Sequence, residues 1–247
     1  MSDQKFSNKL SKQENVALIL DFFHRTMMHH AMWFAQVLEK YGPEEAFHIM
    51  QEAWKKSSSL QLSRTAKILG VEMDGNIPKP LLDLPQDQLE KLRDGFAVNW
   101  LANDGVWFQA VEFTRGMTDA KSCNDLSWEQ FSPFEARSIK TLLKLPENPG
   151  LEGLKEALKF RLYAFINEQS FDSETNTSFI FKMNKCRVQN ARQRKGLQDY
   201  PCKSGGLIEY TTFASTIDSR IRTECIACPP DPHPEEYFCA WKFILDK

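Results

Sequence analysis

Long apolar runs are missing from this chain of 247 residues. None exceeds five, Val16 to Leu20 among them, so nothing reads as a membrane span. An excess of one charge sign is missing too. Lys and Arg number 31 against 33 Asp and Glu, a net charge of −2, which gives no electrostatic reason to expect a nucleic-acid or membrane partner. The start, MSDQKFSNKLSKQ, lacks the apolar segment of a signal peptide. The expectation is therefore a cytoplasmic protein, in a compartment where structural disulfides are rare. Histidine is scarce. There are five, and only His233 falls in the second half, where it is the one imidazole available to chemistry.

What is present is an ordinary globular balance, 42% hydrophobic and 26% charged, with a repeat inside it. HAMWFAQVLEKYGPEEAFHIMQEAW (30–54) aligns without a gap on DGVWFQAVEFTRGMTDAKSCNDLSW (104–128), at an offset of 74 residues. The register pairs Trp33 with Trp107, Phe34 with Phe108, Gly42 with Gly116 and Trp54 with Trp128, and extends to Phe22/Phe96 and Leu69/Leu143. Trp33 and Val37 share a helical face. The two glycines suit the position just past a helix end, where positive φ is needed, and Pro43 suits the first turn of the next helix. A third helix is expected at Ser59–Leu69 and at Pro133–Leu143. The first half thus reads as two copies of a three-helix unit, about 10–71 and 84–145. Cys123 takes the place of Ile49 and is expected to be a buried apolar filler.

After the breaker PENPG (146–150) the pattern changes. LEGLKEALKFRLYAFINEQ (151–169) reads as one amphipathic helix. TSFIFKMNKC (177–186), RIRTECIAC (220–228) and YFCAWKFIL (237–245) read as strands. RVQNARQRKG (187–196) is a short basic helix and GGLIEYTTFASTID (205–218) a buried one. The fold class is α+β: an N-terminal helical domain, 1–148, carrying the 74-residue repeat, and a cysteine-rich α+β domain with a small sheet, 149–247.

Five of the six cysteines lie in that second domain. Cys186 ends the first strand, Cys225 and Cys228 end the second, and Cys239 begins the antiparallel return. If the first two strands run parallel, these thiols meet at one end of the sheet, and Cys202, in the loop before the buried helix, closes over them. Thiolates so gathered suit zinc, or an iron–sulfur cluster as the alternative. The same residues also allow a nucleophilic Cys202, its pKa lowered by Lys203 and a helix N-terminus, with His233 as base. Plain packing of small apolar side chains is the third reading. Arg187 and Arg192 can fork onto a ligand carboxylate. Glu209 is either solvated or turned into a pocket.

The run KCRVQNARQRKGLQDYPCKSGGLIEYTTFASTIDSRIRTECIACPPDPHPEEYFCAWKF resembles a family of uncharacterised cytosolic proteins, common in anaerobes, known as a domain of unknown function. Its recurring features fall on Cys186, Arg187, Gln189, Arg192, Cys202, Glu209, Asp218, Cys225, Cys228, Pro229, Pro230, Asp231, Cys239, Trp241 and Phe243. The segment ECIAC…YFCAWKFIL is similar to the end of vinyl-reductase-type small-molecule-binding domains, which implies ligand or metal sensing. It is also similar to the L-2-amino-thiazoline-4-carboxylate hydrolase family, which implies ring opening of a small cyclic amidine, although the extra CxxC departs from that pattern. The expected function is small-ligand binding or sensing with a metal site. The metal ligands are drawn from Cys202, Cys225, Cys228, Cys239 and Cys186, the ligand residues are Arg187, Arg192 and Glu209, and the helical domain is available to pair two copies. The alternative is a hydrolase using Cys202 or a metal-bound water.

Overall fold

The computed structural model describes residues 10–194, 196 and 199–246. Its contacts divide the chain into two compact units, Met1–Asp83 and Leu84–Lys247. The second repeat therefore folds with the sheet, and the units part at Asp83/Leu84 rather than near residue 148.

The first unit is a helical hairpin. Helix α1 (Lys12–Tyr41) opens on a capping box in which Ser11 and Glu14 exchange side-chain bonds to each other's amides. Gly42, at φ 77°, turns the chain directly into α2 (Pro43–Leu69). Two short strands, β1 (Met73–Asp74) and β2 (Ile77–Pro78), and the turn of α3 (Lys79–Leu82) follow. Only Ala46, Phe47 and Ala66 are buried in α2 and none in α1, while Phe22, Phe23, Trp33 and Trp54 stay exposed.

The second unit starts with the matching hairpin, α4 (Gln86–Arg115) and α5 (Met117–Leu142), joined at Gly116 with φ 92°. Each copy is thus two long helices, not three. Ser59 and Pro133 start no new helix; Pro133 sits inside α5, giving up one backbone bond while its neighbours Ser132, Glu135 and Ala136 are buried. Cys123 is exposed, contrary to the expected filler: its neighbours Ser122, Leu126 and Ser127 on α5 are exposed with it.

Helix α6 (Gly150–Leu158) is shorter than expected. A 3-10 turn (Leu162–Phe165) and a strand, β3 (Glu168–Asp172), replace the rest of that helix. The cause is distant in sequence. Glu135 on α5 accepts the Leu162 amide at 2.9 Å and Arg161 Nε at 2.8 Å, which satisfies in the turn what a helix would satisfy internally.

The strands β4 (Ser178–Lys185), β5 (Ile221–Ala227) and β6 (Cys239–Leu245) fall where the alternation places them, with α7 (Arg187–Gln193) and α8 (Lys203–Ile217) between. The sheet order is β3-β4-β6-β5, every pair antiparallel. β4 and β5 thus run the same way with β6 between them. Phe179, Phe181, Trp241 and Phe243 point from the sheet to Tyr210, Phe213 and Ile217 of α8, which packs in turn on α5. Among the described residues no helix is long and apolar enough to cross a membrane.

Candidate functional site: a thiol rim over a buried ion cluster

The topology brings the cysteine-bearing ends together. Cys186 is the residue between β4 and α7, and Cys202 the residue before α8. In the sheet Cys239 lies opposite Met183 and Ala240 opposite Ala227, so Cys228 faces Cys239 across the pair. The Cys228 and Cys239 thiols hydrogen-bond; Cys202 feels both Cys186 and Cys239; Cys225 feels Cys239. All five pack against the same core, Cys228 within it. Among the described residues, no three His, Cys, Asp or Glu side chains stand in metal-holding geometry. The thiols are neighbours without a closed ligand shell.

Gln189, 1% exposed, pins Cys202. Its amide donates to the Tyr200 carbonyl at 2.9 Å and to Cys202 Sγ at 3.2 Å, and it accepts the Tyr200 amide at 2.7 Å. Lys203 N donates to the Pro229 carbonyl at 2.8 Å, tying the start of α8 to the CxxC loop.

The nucleophile reading of Cys202 does not suit this environment. Burial pushes its thiol well up, and nearby Cys186 and Cys239 push it further. Lys203, expected to lower it, is held by Asp231 at 2.5 Å. Burial likewise raises Cys186 to about 11, and Cys228 is raised first by its bond to Cys239 and then by burial. His233 does not serve Cys202 either. Its Nε2 lies 3.0 Å from Asp199 and its Nδ1 2.9 Å from the Pro234 carbonyl. Partial burial opposes the charge on His233, but the bonds to Asp199 and Pro234 outweigh it and raise its pKa.

Below the rim lies a charged cluster. Arg161, 2% exposed, places Nε 2.8 Å from Glu135 Oε2 and Nη1 2.7 Å from Glu209 Oε1. The rings of Trp128, Tyr163, Tyr210 and Phe213 surround the guanidinium at 4.6–5.9 Å. Arg161 Nη2 makes no hydrogen bond, and the contact at Glu209 Oε1 is a charge pair without hydrogen-bond alignment. Trp241 Nε1 and the Tyr200 hydroxyl are also buried without partners. Burial raises Glu209 to about 7 against the pull of Arg161. Asp104 on α4 is raised by burial and acts on Glu209, Tyr163 and Tyr200. Perturbed groups packed this densely are characteristic of working sites.

The sequence reading found Glu209 and missed Arg161, Glu135, Asp104, Tyr163 and Tyr200. No local pattern marks them, since the partners lie on separate elements. Asp218, one of the recurring features of the resembling family, is structural: it takes the Gly150 amide at 2.9 Å and the Arg220 guanidinium at 2.7 Å, and the Arg220 bond chiefly lowers its pKa to about 2. Arg187 is exposed and Arg192 half-buried on α7; Lys195 lies outside the described residues.

Residues 8–83 and 82–245 match the model of a family described as a family of unknown function, DUF6125, and the two matched segments meet close to where the compact units part. No curated protein and no solved structure matches the chain.

Proposed function

The chain belongs to DUF6125, and from that premise we propose that it binds a small ligand in its second unit, next to a soft metal ion held by the thiol rim. The observation that carries the reading is the gathering of Cys186, Cys202, Cys225, Cys228 and Cys239 from separate elements at one end of the sheet. Cys202, Cys228 and Cys239 are the central donors, and Cys186 and Cys225 flank them. Small side-chain rotations of such neighbours close a tetrahedral shell of four thiolates, for zinc first and an iron–sulfur cluster as the alternative. A closed shell leaves the metal no open position, so its role is structural or sensory. Because burial holds the Cys186 and Cys202 thiols protonated, metal uptake there must release protons.

Protein purified without oxygen, then titrated with zinc in weak buffer, tests the idea. One zinc per chain with release of at least two protons is expected, and Cys239→Ser should weaken binding by more than tenfold. Substoichiometric zinc with no proton release defeats it. An iron–sulfur centre would show as brown protein.

A second reading is favoured by Glu209, which holds a proton near neutrality beneath the thiols. In a hydrolase of a small cyclic amidine or carboxylate it would pass that proton to the leaving nitrogen while a water, rather than the protonated Cys202 thiol, attacks. Turnover of a thiazoline carboxylate, lost in Glu209→Gln, would favour this reading. Pairing of two chains through the exposed aromatics of α1 and α2 belongs to the first reading, and sedimentation as a monomer would remove it.

A further inference from the structure

A cleft of about 540 Å³ opens in the second unit on the outer side of α7, lined by Asp94 and Val98 of α4, by 165–168, and by Lys185, Arg187, Asn190 and Arg194. That volume is within the range of about 300–1,000 Å³ typical of small-molecule sites. Its charges do not cancel. Lys185 is taken by Glu168 at 2.7 Å, and Asp94 by Arg93 at 2.8 Å. Arg187 and Arg194 have no ion-pair partner among the described residues. They stand seven residues apart with Asn190 between, on one face of a helical segment, so both guanidinium groups address the same space.

A third donor lies just behind the lining. Asn167 accepts the Arg187 amide through Oδ1 at 2.8 Å, which fixes the side chain, while its Nδ2 is buried without any acceptor. A buried donor left unmade costs about 1–3 kcal/mol unless something supplies the acceptor. Beside these donors Val98, Phe165 and Ile166 form an apolar wall, and the Arg93 guanidinium lies 4.5 Å from the Phe165 ring centre.

We propose that this cleft is the small-ligand site, and that its ligand is a compact organic molecule with a doubly charged oxyanion head, a phosphomonoester or a dicarboxylate, and an apolar body. Arg187 and Arg194 fork onto the oxygens, Asn167 Nδ2 donates a further bond, and the body lies against Phe165, Ile166 and Val98. The cleft and the thiol rim share one strand end, since Cys186 sits between the lining residues Lys185 and Arg187. The inference rests on the small-ligand half of the function above and not on the metal.

Calorimetric titration of the full chain with phenyl phosphate, phthalate and phenol tests it, with zinc content measured on the same samples. The dianions should bind saturably at one per chain and at least tenfold more tightly than phenol. Arg187→Ala and Arg194→Ala should each weaken them about tenfold, Arg194→Lys less, and Asn167→Ala severalfold, with zinc content unchanged. Arg222→Ala, on an exposed residue of β5, should bind as the parent. Dianions that bind no better than phenol, or bind the arginine variants as well as the parent, overturn the inference even if zinc binds. Zinc-free protein that still takes the dianions overturns only the metal reading.

Discussion

Arg161 Nη1 stands 2.7 Å from Glu209 Oε1 at a point where the guanidinium is 2% exposed and four aromatic rings close around it. One cation thus holds α8 to the turn after α6, and through Glu135 to α5.

Removing that cation should be costly. Arg161→Met leaves Glu135 and Glu209 buried without a counter-charge, a change that typically costs about 3–5 kcal/mol. Urea denaturation should show a loss of that order. Adding Glu135→Gln and Glu209→Gln to the variant should recover much of it, because the stranded charges are gone. A loss below about 1 kcal/mol would mean that the cluster is solvated in solution.

Glu209 gives stability a pH dependence of known sign. Its folded pKa, about 7, lies above the 4.5 of an ordinary glutamate, so between those values the folded chain binds more protons than the unfolded one. Stability from this group is therefore greatest below pH 4.5 and falls as pH rises to about 7, by up to about 1.4 kcal/mol per pH unit. His233, also raised, adds a loss of the same direction as pH climbs through its own folded pKa. Stability curves at pH 5, 6 and 7 for Glu209→Gln should be flatter than for the parent. Equal slopes would show that Glu209 titrates as an ordinary carboxylate.

Much of the frame was legible because it is written in local patterns. Gly42 and Gly116 marked the hairpin turns, and the period-2 residues of 178–185 and 239–245 marked strands of the sheet. The convergence of the thiols followed from strand direction. The rest needed partners that sequence spacing does not announce. Leu158, Leu162 and Phe165 keep a helical period, yet the helix ends because Glu135 takes the Leu162 amide. Likewise Lys203 and His233 read as activators of Cys202 until Asp231 and Asp199 are seen holding them.

Close packing at the start of α8 supplies a third prediction. A Cβ on Gly206 would sit 2.7 Å from Trp241 Cζ2 and 3.0 Å from Cη2, and Trp241 is fully buried. Gly206→Ala must push the indole or the helix aside, at about 1–3 kcal/mol. Tryptophan near-UV dichroism and urea midpoints should both change. Gly95→Ala, on α4 with nothing within 4 Å of the added carbon, should leave the indole signal unchanged and serves as the control.

Thiol chemistry separates the rim from the surface. Cys123 is exposed on α5, whereas burial and mutual proximity keep Cys186, Cys202 and Cys228 protonated. The thiolate is the form that attacks a disulfide reagent, and each unit of raised pKa removes about ninety percent of it. Reduced, metal-free protein treated with an aromatic disulfide at pH 7.5 should therefore react rapidly at Cys123, with Cys186, Cys202 and Cys228 at least tenfold slower. Cys123→Ser should remove one equivalent from the fast phase, and guanidinium should make all thiols fast. Zinc added first should slow the rim thiols further and leave Cys123 unchanged, since a metal removes the lone pairs that the reagent needs. Uniformly fast reaction of all six cysteines in native protein would mean that the rim opens to solvent and that burial does not govern its reactivity.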